Sequence, residues 1–414
     1  MRNRLAVFIG VIVFTSWAHS LENAGPREAI VADLSMLEKV GVAPKAVSNE
    51  LGLGMALATS DQQKMISQVA HADGRCGGYE KLFLSRQQKM QGMAMSSPSL
   101  FASLIDHNQK NKAYEKRFRL FNSSVTLDYS ADVAEAVSQV DFTKIKETVE
   151  WLSSFETRYH LSSTPNRHID PFVQRLNQMV QGLDFNVDVE RISHSSTRQD
   201  SIRVRIPGLQ RSQEIIVLGG HLDSINQSWG DLAPGADDNA SGSADLVEAL
   251  RVILAHGPLD RTIEFFWYAG EETGLVGSGE IAREYNATNK DVVAVLQLDM
   301  TMVAGEGRFT MSSMTDYTSS WLREYFGELN RHYIKARVLE GRCGYGCSDH
   351  VSWYRQGYPT LLPFEASLQT FNRKIHSVRD IVDSDSDFQH AAMFAKIAVA
   401  LGLQLGNSTD RQPY

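Results

Sequence analysis

The run Ile215-Ile-Val-Leu218 leads into Gly219-Gly-His221-Leu-Asp223-Ser224. After a short polar loop the chain reads Ala233-Pro-Gly-Ala-Asp237-Asp238-Asn-Ala-Ser-Gly242. A helical apolar pattern, Ala244 to His256, follows. His221 and Asp223 therefore stand where a buried strand ends, and Asp237 and Asp238 stand just before a helix. In an open parallel sheet, ligands gather at the carboxyl ends of strands. One imidazole and several carboxylates brought to such a place suit a hard or borderline cation, most simply zinc. Asp238 or Asn239 alone would be an ordinary helix N-cap; the whole stretch after an apolar strand favours the metal.

Working outward, 414 residues allow a large core and more than one domain. A hydrophobic fraction of 43% with 22% charged residues is that of a soluble globular protein. The formal charge of -8, with no basic stripe interleaved with aromatics, argues against nucleic acid as a partner. Arg2 and Arg4, the apolar run Leu5 to Phe14, and the small residues Ala18 and Ser20 read as an export signal over 1–20. That run is too short to span a bilayer, and no later segment is read as a membrane span. The expectation is a secreted protein, with the periplasm as the lesser alternative. The cysteines are Cys76, Cys343 and Cys347. In Cys343-Gly-Tyr-Gly-Cys347 the two glycines permit the backbone of a small ring, and export allows a disulfide.

Residues 21–122 are rich in Gln, Met, Ser and Lys, with short helical patterns and little that reads as a core strand. They read as a mainly helical pro-region, closed by a basic run from Lys110 to Arg119. Residues 123–406 follow another plan. Helical spacing over Val133–Phe155 and Phe172–Met179 precedes strands over Asn186–Ile192, Ser201–Ile206 and Glu214–Leu218. Helices over Ala244–His256, Leu275–Tyr285, Ser319–Arg331 and Asp387–Leu403 alternate with strands over Thr262–Tyr268, Val292–Leu298 and Thr360–Phe364. This alternation implies an α/β fold, a mostly parallel central sheet sandwiched by helices. Residues 407–414 read as a flexible tail.

The acid-after-strand pattern recurs. Glu271 and Glu272 follow Phe265-Phe-Trp-Tyr-Ala-Gly270, and Asp299 follows Val292-Val-Ala-Val-Leu-Gln-Leu298. His376 sits in Lys374-Ile-His-Ser-Val-Arg-Asp380. Charged groups are costly to bury unless paired or metal-bound, so several such sites at one sheet edge are hard to explain by packing. Two histidines and three or more carboxylates can hold two zinc ions with one carboxylate bridging. Such a pair clamps the attacking and leaving sides of a hydrolysis. Consecutive Glu271 and Glu272 suit a division between general base and ligand.

These motifs, His221-x-Asp223, Gly-Ala-Asp237-Asp238, Glu271-Glu272, Leu-Asp299-Met, Ile-His376 and Cys343-Gly-Tyr-Gly-Cys-Ser-Asp-His350, resemble the secreted bacterial leucyl aminopeptidases with co-catalytic zinc over roughly 123–406. The resemblance implies two Zn2+ per chain. One zinc would take His221 and Glu272 and the other Asp299 and His376. Asp237 would bridge them, with a cis peptide bond from Asp237 to Asp238. Glu271 would be the general base. Asp223 and Asp238 would stand behind the ligands, Asp223 fixing the His221 tautomer, with Asp380 in a like role or as an N-cap. Tyr345 would assist in polarising the scissile carbonyl. Cys343 and Cys347 would be bridged. Met300, Leu362, Phe364, Leu368, Phe371 and Ile375, with Cys343, Tyr345 and Cys347, match the family's side-chain pocket, which implies a preference for Leu, Met or Phe at the substrate's N-terminus. The expected partner is a peptide with a free N-terminus, and the expected state a monomer.

Other readings are weighed beside it. Ser348-Asp349-His350 holds the letters of a serine-hydrolase triad, but no Gly-x-Ser-x-Gly elbow occurs and sequence neighbours rarely assemble as one. A carboxypeptidase would need cations for the substrate carboxylate, with Arg342, Arg373 and Lys374 as candidates. A single-zinc glutaminyl cyclase would not need the complete ligand set.

Overall fold

The computed structural model describes residues 26–49, 52–72, 78–82, 127, 130–227 and 231–407. The export signal, Cys76, the basic run Lys110 to Arg119 and residues 408–414 lie outside them.

The first segment forms β1 (Glu28–Asp33), α1 (Leu34–Val40), β2 (Ala46–Ser48), β3 (Leu53–Ala58), α2 (Ser60–Ala72) and β4 (Tyr79–Leu82). Its antiparallel sheet runs β2-β3-β1-β4, a split β-α-β arrangement. Ile30, Ala56, Met36, Leu37 and Ile66 form its own core. Among its described residues the segment is thus a four-stranded sheet with two helices rather than mainly helical. Leu53-Gly-Met-Ala-Leu-Ala58 is made of residues with no strand preference by themselves. Pairing of β3 on both sides, with β1 and β2, overrides that propensity.

Three helices follow: α3 (Ala131–Ser138), α4 (Phe142–Ser153) and α5 (Ile169–Val180). The predicted helix over 133–155 is broken because Asp141 caps α4, its carboxylate accepting from Thr143 N at 2.9 Å. The main body continues with β5 (Asp188–Ile192), β6 (Ser201–Ile206), β7 (Arg211–His221), α6 (Gly242–His256), β8 (Arg261–Tyr268), α7 (Val276–Ala287) and β9 (Asp291–Gln297). Then come β10 (Thr310–Met314), α8 (Ser320–Leu329), β11 (Arg337–Gly341), α9 (His350–Arg355), β12 (Thr360–Leu361), β13 (Pro363–Phe364) and α10 (Phe388–Asn407).

The central sheet runs β12-β9-β7-β8-β6-β5. β12, β9, β7 and β8 are parallel, and β6 and β5 add an antiparallel edge. Ile216, Leu218, Phe265, Trp267 and Leu296 are fully buried, so the continuous apolar runs of β7, β8 and β9 are those of strands covered on both faces. Register pairs His221 with Tyr268 and Leu218 with Leu296, which brings the carboxyl ends of β7, β8 and β9 level. The predicted strand over 360–364 is two short strands in different sheets: β12 joins the central sheet and β13 pairs with β10 beside β11. α10 is apolar and long enough to cross a membrane, yet most of it is buried, and it packs against α6, α3 and α4 as a core helix.

Candidate metal centre

Each loop leaving the level strand ends carries its acids inward. After β8, Gly270 turns the chain with φ 66°, a left-handed value glycine adopts without strain. The next turn, Glu271–Thr273, is held by Asp223, whose carboxylate oxygens accept from Glu271 N (3.0 Å) and Glu272 N (3.3 Å). The expected support of His221 by Asp223 comes instead from the backbone: Nδ1 lies 3.1 Å from the Asp223 carbonyl oxygen and 3.6 Å from its carboxylate. A carbonyl can only accept, so Nδ1 carries the proton and Nε2 faces the carboxylates.

The loop Ala236–Ser241 is tied on both sides. Asp380 accepts from Asp237 N at 3.1 Å and Asp238 N at 3.0 Å. Asn239 donates to Leu298 O at 3.0 Å and accepts from Gly242 N at 2.9 Å. These ties send adjacent aspartates opposite ways. Asp238 places Oδ1 3.1 Å from His221 Nε2 and Oδ2 2.8 Å from His376 Nε2. Asp237 turns back, accepting from Met302 N at 3.0 Å and Asn372 Nδ2 at 3.1 Å. The carboxylate facing both histidines is therefore that of Asp238, not Asp237, and the cis bond joins Asp238 to Asn239, not Asp237 to Asp238. Residue type could not separate two consecutive aspartates; the ties to Asp380 and Leu298 do.

The acid nearest each histidine differs from the expected partition. His221 Nε2 lies 3.3 Å from Asp299 Oδ1, and His376 Nε2 lies 3.1 Å from Glu272 Oε2. β9, which leads to Asp299, and β8, which leads to Glu272, flank β7 on opposite sides, so His221 can lean to one while His376 enters over the other. Ligand atoms of His221, Asp238 and Glu272 all lie within 4.8 Å of one another. His376 and Met300 hold φ of 55°, a strained value for non-glycine residues that is often found at functional sites.

The donor set fits a cation. Both carboxylate oxygens of Asp238, both of Glu272 and Oε2 of Glu271 are buried with no hydrogen-bond donor. Unsatisfied buried carboxylates are costly unless a metal or charge compensates them. Without metal, burial and the Asp238 charge push the Glu272 carboxyl up to about 7. Burial, then the charges of Asp349, Asp299 and Glu272, hold Glu271 well above the carboxylate range against His221. For Asp238, burial is outweighed by His376 and His221, and its carboxyl falls.

Ser348 donates to Asp299 Oδ2 at 2.6 Å, while His350 faces the carbonyl of Asp316 at 3.2 Å. These letters of a triad thus serve different partners. Cys343 and Cys347 are bridged, with Cα atoms 6.3 Å apart. Asp299, Met300, Cys343, Tyr345, Cys347, Leu362, Phe364, Leu368 and Phe371 line a cavity of about 40 Å³ beside the carboxylates. Ile375 is not on that lining; it packs with Met300, Ala366 and Phe371 behind it.

Sequence reasoning missed three supports. Glu365 buries its carboxylate behind Asp237 and accepts from Val303 N at 2.7 Å and Asn372 N at 2.9 Å. Asn372 bridges Asp237 and Asp380. Arg158, 1% exposed, donates to Leu222 O, Leu152 O, Pro234 O and Gly235 O at 2.5–3.0 Å. None carries a local motif, because each reaches at least one partner more than 60 residues away in the chain.

The sequence pattern of peptidase family M28 matches residues 201–401, the span holding every one of these acids and histidines. Leucine aminopeptidase 1 of Aspergillus fumigatus is 34% identical over 295 residues, covering 67% of this chain and 75% of its own. The chain belongs to peptidase family M28. Within M28 it groups with the leucyl aminopeptidases and is a zinc-dependent metallo-aminopeptidase. A probable leucine aminopeptidase of Arthroderma otae is 36% identical over 285 residues, covering 67% of this chain and 77% of its own. Among solved structures, the LapA aminopeptidase of Legionella pneumophila superposes with a TM-score of 0.75 at 26% identity. It covers 93% of this chain and 100% of its own, a span that has to include part of the N-terminal segment. The fold expectation, a central sheet between helix layers, is that of this M28 neighbour.

Proposed function

We propose that this M28 chain is exported and removes the N-terminal residue, preferably Leu or another large apolar one, from peptides at a two-zinc centre. His221 and Asp299 would hold one ion, His376 and Glu272 the other, and Asp238 would bridge them. The observation that carries this reading is the Asp238 carboxylate, one oxygen toward each histidine and neither accepting a hydrogen bond. When bound, zinc supplies the Lewis acidity that polarises a carbonyl and lowers the pKa of water toward 7.

The chain's own groups do the rest. Glu271, buried and with its carboxyl pushed upward, takes the proton of the attacking water and passes it to the leaving amine as the C–N bond breaks. Asp223 fixes that turn through both amides. Tyr345, on the cavity wall with Asp299, donates toward the carbonyl oxygen as negative charge develops there. The apolar lining favours an apolar first side chain. Export is supported by Arg2, Arg4, the run Leu5 to Phe14 and the Cys343–Cys347 bridge. Residues 21–122, with their separate core, would form a pro-region.

The test is hydrolysis of leucine p-nitroanilide against its N-acetylated form, with and without a zinc chelator. Chelator-sensitive cleavage of the free amine alone is expected. A processed, zinc-loaded sample that cleaves neither would overturn the reading. Cyclisation of N-terminal Gln peptides with one zinc per chain would replace it with a cyclase.

A further inference from the structure

Three residues of β4, Tyr79, Glu80 and Lys81, reach both loops that flank the metal centre. On one side, Lys81 N donates to Gly274 O at 3.3 Å, and the Tyr79 ring lies against Gly274, where a Cβ would come within 2.8 Å of it. Gly274 directly follows the turn that carries Glu271 and Glu272. On the other side, Glu80 faces Arg355 in a two-pronged ion pair, Oε1 to Nη2 at 3.0 Å and Oε2 to Nε at 3.2 Å. The two side chains are 14% and 10% exposed, and paired forks of this kind fix geometry as well as charge. Arg355 ends α9, the helix that begins just after the disulfide loop and Ser348. Its guanidinium also lies over the Tyr317 ring, 4.7 Å from the centroid. The Glu80 carboxylate is pressed onto the disulfide loop itself: a Cβ on Gly346 would lie 2.6 Å from Oε1.

The loop so held forms one wall of the substrate cavity, through Cys343, Tyr345 and Cys347. That cavity measures about 40 Å³. A water molecule takes about 30 Å³, and a cavity of about 150 Å³ accepts the six carbons of benzene. By proportion the four carbons of a leucine side chain need roughly 100 Å³. Alanine's single carbon asks less of this narrow cavity than leucine's four.

We propose that Glu80 is a positioning residue that sets substrate size selection: while β4 is docked, the Glu80–Arg355 pair holds the disulfide loop inward and keeps the side-chain pocket narrow. This rests on the aminopeptidase reading of the site. A plug over the metal centre would slow all substrates alike. A clamp on one pocket wall discriminates by side-chain size, because a methylene that fits or fails to fit an apolar pocket is worth roughly 10–200-fold.

The experiment compares kcat/KM for leucine and alanine p-nitroanilides in the zinc-loaded full chain. Glu80→Gln keeps the shape and removes the charge. Gly346→Ala presses a methyl on Glu80 Oε1 from the loop side, so it disturbs the same contact by a change outside the N-terminal segment and guards against a variant that merely unfolds that segment. In both, the leucine-to-alanine ratio should rise by about tenfold or more, chiefly through a lower KM for leucine. An unchanged ratio in both variants, or a parallel change for both substrates, overturns the clamp. Loss of all cleavage by the wild-type protein would instead strike the aminopeptidase reading beneath it.

Discussion

Glu271 and Glu272 are neighbours in unlike surroundings, and their substitutions should fail differently. Glu272 Oε2 faces His376 Nε2 at 3.1 Å, so Glu272→Gln should lower zinc content, read by metal analysis after dialysis. Glu271→Gln should keep its zinc and lose roughly 10²–10⁴-fold in kcat with little change in KM. The pH profile follows from the same carboxyl. A base must be ionised to accept a proton, and burial with nearby acids raises the Glu271 pKa. The rate should therefore climb with pH along a limb lying above the ordinary glutamate value of about 4.3. A limb at or below that value would remove Glu271 from the role. The aspartate pair separates likewise. Asp238→Asn should abolish tight metal binding, whereas Asp237→Asn, behind the site, should weaken it by about 10–100-fold. At this scale the sequence narrowed the site to the right loop but not to the right carboxylate. Alternation of side chains there is set by the Asp380 and Leu298 ties, from residues far along the chain.

Among elements, the two loops that carry His221 and Asp238 are joined by Arg158. Burial lowers its guanidinium to about 10, with Asp380, Asp223, Asp238 and Glu272 holding it up, so it remains charged at neutral pH. Arg158→Met would leave the carbonyls of Leu152, Leu222, Pro234 and Gly235 without their donor. Unfolding in urea should show a loss of roughly 3 kcal/mol or more, with weaker zinc binding. The disulfide element is small: closing so short a loop contributes about 2 kcal/mol. Replacing Cys343 and Cys347 by Ser should cost no more than that and should act mainly on KM for leucine substrates. Strands β7, β8 and β9 were legible because burial on both faces makes them continuous apolar runs. Thr310–Met314 and Arg337–Gly341 escaped notice, because Thr-Met-Ser-Ser-Met and Arg-Val-Leu-Glu-Gly carry neither alternation nor an apolar run. The N-terminal sheet was hidden for a similar reason, its strands being short and pairing only across its own fold.

For the whole molecule, the carboxylate cluster makes stability depend on metal and pH together. Burial raises Asp237 to about 6, Glu272 and Asp349 to about 7 and Asp380 to about 8. A carboxyl with a raised native pKa binds its proton more tightly folded than unfolded. It contributes stability that is fully present below about 4 and is lost as pH rises through the native value. The chelated protein should therefore lose Tm between about pH 4 and 8, and added zinc should restore it most at the upper end. A metal-free Tm that rises across that window would contradict the cluster's electrostatics. The acids and histidines of the centre, and the order in which strands deliver them, were determined by the sequence alone, because a charged residue after a both-faces-buried strand has few physical explanations. Only the tertiary structure decided which aspartate faces both histidines, which acid neighbours which imidazole, and that Glu80 grips the pocket loop through Arg355. Those depend on strand order, loop ties and contacts between residues as much as 275 positions apart, which no local pattern records.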